Sequence, residues 1–169
     1  MEISEASKNQ VHEMYRAGMA RAREESWRVL YQIAENIKPG CLESQANQTA
    51  QALLKSAGVE GLWHRPYVRF GANTLKTYRD PFEGETILKE SDLFYIDLGP
   101  VFSGLPGDSE KYEGDVGESF IVGDDLEHIK ITQTVKKIYE LTRDSWLKSN
   151  LTGEQLYQHA RGSADHLGY

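Results

Sequence analysis

The stretch Phe94–Gly123, FYIDLGPVFSGLPGDSEKYEGDVGESFIVG, contains two segments in which apolar and polar residues alternate. Side chains alternate between the two faces of a β-strand, so Asp97 points away from its apolar neighbours in the first segment and Asp115 does so in the second. If the two segments pair as an antiparallel hairpin, both aspartates lie on one polar face and the apolar faces lie against helices. A polar face with two carboxylates is suited to binding a cation.

Each aspartate taken alone also fits a turn, because Asp and Gly are common turn residues and both aspartates lie near glycines. The occurrence of both inside alternating apolar segments favours the cation site. Asp108 lies between them in the polar, glycine-containing segment 107–111, which is typical of a loop. Residues 108–119 do not fit a calcium-binding loop, because Glu113 and Ser119 occupy the positions that require glycine and a bidentate acid.

The composition sets limits on the class of protein. The chain has 169 residues, 39% of them apolar, which is enough for one globular domain. Its net charge is −7 and its basic residues are scattered, so we expect no nucleic-acid partner. The single cysteine, Cys41, excludes an intramolecular disulfide. We find no signal peptide or membrane-spanning segment, and therefore expect a cytoplasmic protein without membrane association.

Apolar periodicity predicts four helices, at about residues 4–37, 44–57, 125–150 and 152–167. Asp125 is placed to cap the third helix, and Thr152 with Gln155 has the form of a capping box for the fourth. Residues 63–123 are predicted to form the strands, and Pro66 makes the first of them an edge strand or an irregular one. This order of elements predicts an α+β fold with antiparallel strands covered by helices.

Two carboxylates are fewer ligands than a divalent cation commonly takes, so we searched the histidines for further ligands. None of the five has the spacing of a zinc-binding motif. His64 lies next to an aromatic residue in the first predicted strand, and it is a candidate for a substrate contact or a catalytic acid/base group. The other four are interpreted as structural or surface residues: His12, His128, His159 and His166.

Several motifs carry a resemblance to a known family. Ile96–Gly99, Gly114–Gly123 and the long helix that follows resemble the N-terminal half of the pita-bread metallopeptidases, the family of methionine aminopeptidase, aminopeptidase P, prolidase and creatinase. Segments 37–40, 89–93 and 151–156 resemble family features as well, so the similarity covers nearly the whole chain. It implies the pita-bread fold, with this chain as an incomplete, N-terminal half.

The resemblance also implies the roles of the two aspartates. In that family the first aspartate chelates one metal and the second bridges two, and these roles fall on Asp97 and Asp115. The Gly-Asp-x-x-x-x-Phe context selects Asp115 rather than Asp108. The implied cofactor is a pair of divalent ions (Mn, Co, Fe or Zn). The family's other ligands, one histidine and two glutamates, belong to a second half that would follow Tyr169.

Two features depart from the family pattern. The connection 101–113 is longer than the family's, and we predict that it is an insertion at the mouth of the site. The family's substrate-binding histidine normally precedes the strand of the first aspartate, and the nearest positions here are Tyr78 and Arg79. Whether His64 takes that role is left open by the sequence.

The resemblance implies a dinuclear metallo-aminopeptidase of the Xaa-Pro type, which hydrolyses N-terminal residues from a peptide substrate through a metal-activated water and is inactive as this chain alone. The alternative is a non-catalytic pita-bread module that binds a peptide or a partner protein. Creatinase-like amidine hydrolysis without metal is disfavoured, because both aspartates are present. A half-sheet with an open edge further predicts poor solubility or a homodimer.

Overall fold

The computed structural model describes residues 5–77, 79–80 and 85–169, with side chains from residue 12 onward. The chain divides into two compact units, Met1–Val122 and Gly123–Tyr169. The first contains, in order, α1 (Glu5–Asn36), α2 (Glu43–Ser56), β1 (Gly61–Phe70), a short 3₁₀ helix (Gly71–Leu75), β2 (Asp92–Ser103), β3 (Lys111–Glu113) and β4 (Val116–Val122). The second contains α3 (Leu126–Lys148) and α4 (Gly153–His166).

The first unit is built on an antiparallel sheet with β2 at its centre, which confirms the predicted α+β class. β1 pairs with one side of β2, and its register shifts on both sides of His64 agree with the irregular strand predicted from Pro66. On the other side, β4 pairs with the first part of β2 and β3 with its end. Leu98 lies opposite Val116, and Val101 opposite Glu113, so β3 and β4 are two parts of one edge strand with a break between them.

The break occurs at Gly114 and Asp115, and Pro100 explains it. Gly114 donates its N–H to the carbonyl of Pro100 at 2.7 Å, but proline has no N–H with which to return the bond. The indole N–H of Trp63, from the far side of β2, donates to the carbonyl of Gly114 at 3.0 Å instead. A side chain therefore satisfies the backbone group that the sheet leaves unpaired.

One face of the sheet packs against the helices and forms the core. The alternation predicted for β2 is present: Phe94, Ile96 and Leu98 are at most 4% exposed, whereas Asp97 between them is on the other face and half-buried. Each buried side chain of this size stabilises the fold by about 1.5–3 kcal/mol relative to exposure. The partners of these residues on the helices and neighbouring strands are Val29, Leu30, Ile33, Ala46, Ala50, Leu54, Val68, Phe70 and Val116.

Helix α1 approaches the edge strand through small residues at intervals of four. A Cβ atom on Gly18 would overlap the ring of Tyr112, and a Cβ atom on Gly114 would overlap the hydroxyl of Ser26. Ser26 is buried, and its hydroxyl donates to the carbonyl of Ala22 at 2.6 Å, so this polar group is satisfied within the helix. The close approach of α1 to the break therefore depends on glycine at both positions.

The outer edge of β1 is covered by polar side chains of α2. Asn47 donates to the carbonyl of Val68 at 2.8 Å and accepts from its N–H at 3.0 Å. Glu43 is buried, and it accepts from the N–H of Phe70 at 2.6 Å and from the side-chain amide of Asn73 at 3.1 Å. These side chains take the place of a neighbouring strand along the last residues of β1, at Val68 and Phe70.

The connection 101–113 forms a β-hairpin rather than an irregular loop. β2 continues to Ser103 and the chain returns as β3, with Phe102 and Tyr112 both 3% exposed and packed near Ala22. Asp108 lies in the turn, where it accepts from the hydroxyl of Tyr112 at 2.7 Å. The loop prediction for Asp108 agrees with this position.

The second unit consists of α3 and α4, which pack against each other. Both predicted caps are present: Asp125 accepts from the N–H groups of Glu127 and His128, and Thr152 forms a capping box with Gln155. The bonds from His128 and Glu127 help to hold the pKa of Asp125 below its ordinary value. Among the described helices, none is both long and apolar enough to span a bilayer.

We predict that Glu43→Ala lowers the free energy of unfolding by about 2–3 kcal/mol, because it leaves the buried N–H groups of Phe70 and Asn73 without their acceptor. Urea denaturation followed by circular dichroism measures this change. Glu35→Ala, which removes an exposed carboxylate from α1, is the control and should change stability by less than about 0.5 kcal/mol. Equal midpoints for the two variants would contradict the proposed role of Glu43 at the sheet edge.

Candidate metal centre

His64, Asp97 and Asp115 come together on the sheet face opposite the helices. One potential ligand atom from each lies within 4.8 Å of the others. β2 supplies Asp97, β1 supplies His64 opposite Gly99, and the break in the edge strand supplies Asp115. The three candidate residues of the sequence analysis, drawn from different parts of the chain, therefore form one cluster.

Asp97 is in an environment that disfavours its negative charge. Partial burial raises the pKa of this carboxyl group above its ordinary value; His64 opposes the shift, and the neighbouring Asp115 carboxylate adds to it. Two carboxylates at this separation repel each other, and a bound cation would remove the repulsion. The electrostatics of the cluster thus agree with a cation site.

The ring of His64 is held in one orientation. Its Nδ1 lies 2.7 Å from the carbonyl oxygen of Arg65, and since a carbonyl can only accept, Nδ1 carries the proton and donates. In the neutral form of this tautomer, Nε2 is the nitrogen that carries the lone pair, and it lies 3.7 Å from Oδ1 of Asp97. The edge of Trp63 contacts the ring at a centroid distance of 4.3 Å, and Tyr67 stacks on it at 5.8 Å.

Gly99 makes room for this arrangement. A Cβ atom at this position would lie 2.5 Å from Cδ2 of His64 and 2.6 Å from Nε1 of Trp63. Both side chains cross β2 directly above its backbone, so any larger residue would displace them. The contact of Trp63 with Gly99 depends on the register of β1 against β2, so the local sequence carries no signal for it.

The remaining residues considered from the sequence lie elsewhere. Hydrogen bonds from Tyr112 and Glu110 hold the pKa of Asp108 below its ordinary value, and the same bond to Asp108 raises the pKa of Tyr112 to about 12. Arg79 lies in an exposed turn, and Tyr78 falls outside the described residues. The other histidines are not members of the cluster found in the described ranges: His12, His128, His159 and His166.

The donor set matches a particular class of ion. A donor set of one imidazole nitrogen and two carboxylate oxygens suits Zn²⁺, Mn²⁺, Fe²⁺ and Co²⁺. Ca²⁺ and Mg²⁺ prefer sites in which all donors are oxygen atoms. Three protein donors also leave coordination positions for water, for substrate or for additional ligands. The cluster therefore fits a divalent ion of this class.

A cleft of about 490 Å³ opens beside Asp115. Two aromatic side chains in its wall, Tyr15 and Trp63, are 57% and 50% exposed, so their rings are available for contact. The other residues of the wall are Met19, Lys111, Tyr112 and Glu113. A concave surface that combines aromatic and charged groups next to a cation site is suited to a small ligand or one end of a peptide.

We predict that Gly99→Ala disrupts the cluster by pushing the rings of His64 and Trp63 off β2. The expected result is a red shift and loss of intensity in tryptophan fluorescence, with weaker binding of Zn²⁺ in calorimetric titration. Gly61→Ala is the matched control, because a Cβ atom there meets only Val101 at an ordinary contact distance of 3.9 Å. Unchanged fluorescence and Zn²⁺ binding in Gly99→Ala would exclude this steric role.

The chain is similar to known proteins both in sequence and in fold. Residues 17–169 match the model of metallopeptidase family M24. Similar solved structures include the X-Pro aminopeptidase from Thermotoga maritima MSB8, with a TM-score of 0.70 and 20% identity over 90% of this chain and 41% of that one. Prolidase from Pyrococcus furiosus gives a TM-score of 0.69 and 18% identity over 90% of this chain and 43% of that one.

Aminopeptidase PepP from Pseudomonas aeruginosa is similar over 90% of this chain and 34% of its own, with 22% identity and a TM-score of 0.66. At these identities the similarity shows the fold, which is the pita-bread fold predicted from the sequence. The chain spans about two fifths of the length of the first two structures. No curated protein matches it at a significant level.

Proposed function

The chain belongs to metallopeptidase family M24, and on this premise we propose that it supplies the N-terminal part of a dinuclear aminopeptidase of the Xaa-Pro type. The observation that carries the proposal is the convergence of Asp97, in β2, and Asp115, in the break just before β4, on one sheet face. Two carboxylates presented in this way are the donors that a dinuclear hydrolase needs from this part of the fold.

Asp97 and Asp115 are the residues that would hold the ions, which we propose are Mn, Co, Fe or Zn. Bound divalent ions supply Lewis acidity, which polarises a peptide carbonyl and lowers the pKa of water toward neutrality. The protein's own contribution is to fix the positions of the two carboxylates. Asp97 is fixed within the central strand, and Asp115 is fixed through the hydrogen bonds of the preceding Gly114.

The Xaa-Pro specificity is supported by the names of the similar structures, an X-Pro aminopeptidase and a prolidase. The cleft beside Asp115 adds a physical reason. A proline ring is apolar and rigid, and the exposed ring of Trp63 offers it a flat surface next to the cation site. We propose that this cleft receives the peptide, and that the substrate is a peptide rather than nucleic acid or a membrane.

We also propose that residues 1–169 alone do not hydrolyse peptides. Two ions with about four or more ligands each require more donors than the three in the cluster. Because the cleft and part of the donor set are nevertheless present, peptide binding without hydrolysis is the second candidate function. We further propose that the protein is cytoplasmic and that it forms a homodimer. Light scattering after size-exclusion chromatography tests the homodimer.

The metal-binding part of this proposal predicts that the purified protein binds Zn²⁺ or Mn²⁺ stoichiometrically. Asp97→Asn and Asp115→Asn should each weaken binding by at least about tenfold, which corresponds to about 1.4 kcal/mol. Asp108→Asn is the control, since this carboxylate lies in the hairpin turn and should leave binding unchanged. Isothermal titration calorimetry measures all four proteins. Absence of binding in the wild type would refute the proposed metal centre.

The peptide-binding part predicts that a metal-loaded protein binds a peptide with proline at its second position more tightly than the same peptide with alanine there. Isothermal titration calorimetry measures binding, and Trp63→Leu should remove the preference for proline. Release of the N-terminal amino acid, followed by chromatography, should be absent. Release by this chain would show that the predicted inactivity is wrong, and equal binding of the two peptides would show that the predicted specificity is wrong.

A further inference from the structure

We propose that His64 is itself a metal ligand through Nε2, so that His64, Asp97 and Asp115 hold one divalent ion as a mixed imidazole and carboxylate site. This inference rests on the metal centre of the proposed function and extends it. It replaces the interpretation of His64 as a substrate contact or an acid/base group, because the lone pair that those roles would use is committed to the ion.

The separations of the donor atoms suit one shared ion. Nε2 of His64 and Oδ1 of Asp97 lie 3.7 Å apart, which is too long for a hydrogen bond. Two ligand atoms that bind one tetrahedral ion at about 2.1 Å are separated by about 3.4 Å. The third donor, from Asp115, lies within 4.8 Å of both. Small side-chain movements are therefore enough to bring all three atoms to bonding distance from one point.

The hydrogen bond of Nδ1, on the other side of the His64 ring, is typical of a metal ligand. Histidines that bind metals almost always donate their second N–H to a carbonyl or a carboxylate, which fixes the tautomer and the ring orientation. Nδ1 of His64 donates to the carbonyl of Arg65 at 2.7 Å. The backbone next to His64 thus directs the Nε2 lone pair toward the carboxylates.

The imidazole ring of His64 is held in place by its neighbours. Trp63 and Tyr67 contact the imidazole, and the His64 side chain is only 18% exposed. Little conformational freedom is therefore lost when His64 binds an ion. Trp63 also donates to the carbonyl of Gly114, which immediately precedes Asp115. Trp63 is therefore a positioning residue that fixes the imidazole ligand and the neighbouring carboxylate ligand together.

An imidazole ligand has a consequence for metal selectivity. Imidazole nitrogen favours Zn²⁺ and Fe²⁺, whereas Mg²⁺ and Ca²⁺ prefer oxygen donors. Removal of the imidazole should therefore reduce the affinity for Zn²⁺ far more than that for Mg²⁺. If His64 only forms an ion pair with Asp97, its removal should have no such selective effect.

The experiment is a Zn²⁺ titration of the ¹⁵N-labelled protein, followed by long-range ¹H–¹⁵N NMR of the histidine side chains and by calorimetry. His64→Ala identifies the His64 signals. We expect one Zn²⁺ per chain, a large shift of Nε2 of His64 with Nδ1 still protonated, and Zn²⁺ affinity reduced by about tenfold or more in His64→Ala. His12→Ala, which removes an exposed histidine of α1, is the control and should bind as the wild type does.

The outcomes separate this inference from the proposed function. Equal Zn²⁺ affinity in His64→Ala and the wild type, with loss of binding in Asp97→Asn, overturns the role of His64 and leaves the two-aspartate centre standing. An unshifted Nε2 of His64 in the Zn²⁺-saturated wild type overturns it too, and this readout does not require that any variant fold. Absence of Zn²⁺ binding in the wild type overturns both proposals.

Discussion

The hydrogen bond from the indole of Trp63 to the carbonyl of Gly114 is the interaction on which the site depends. It joins β1 to the edge strand across β2, at the one place where Pro100 cannot complete the ladder. Without it, a backbone carbonyl beside Asp115 would lack its partner, at a cost of about 1–3 kcal/mol if buried. The bond requires a bare backbone at Gly99, and the same opening admits the imidazole of His64. Pro100, Gly99 and Trp63 together interrupt the pairing between β2 and the edge strand. The potential metal ligands His64 and Asp115 lie at this interruption.

Much of the fold follows from local sequence. Alternation in β2 and β4 predicts which face carries Asp97 and Asp115, because strand side chains have a period of two, and the caps of α3 and α4 are fixed by residues within one helical turn. The features that were missed are non-local. The hairpin at 101–113 forms because Phe102 and Tyr112 are buried together, and the role of Trp63 depends on the strand register. Neither the pairing of distant residues nor the register of one strand against another is encoded in a short window.

Glu43, which is buried, and Asp97, which is half-buried, show how the surroundings of an acidic side chain decide its role. Glu43 is satisfied by backbone and amide donors, so its burial covers the end of β1 and supports the fold. Asp97 is partly buried beside a second carboxylate, and its raised pKa means that the ionised form is disfavoured where it lies. An environment that disfavours a charge at one place is typical of a site prepared for a ligand of opposite charge. In the sequence, Glu43 immediately precedes the predicted helix 44–57 and Asp97 lies in a predicted strand, and only the structure shows how differently the two acids are surrounded.

The two edges of the sheet differ in how their backbone groups are covered. Asn47 and Glu43 bond the outward backbone groups of Val68 and Phe70, at the end of β1. On the opposite side, no strand in the described part of the chain pairs with the outer groups of β4. A strand added along β4 would lie on the side of the sheet that carries Asp115. Polar side chains of α2 thus cover part of one edge, whereas the other edge has no neighbouring strand among the described residues and lies next to the candidate metal ligands.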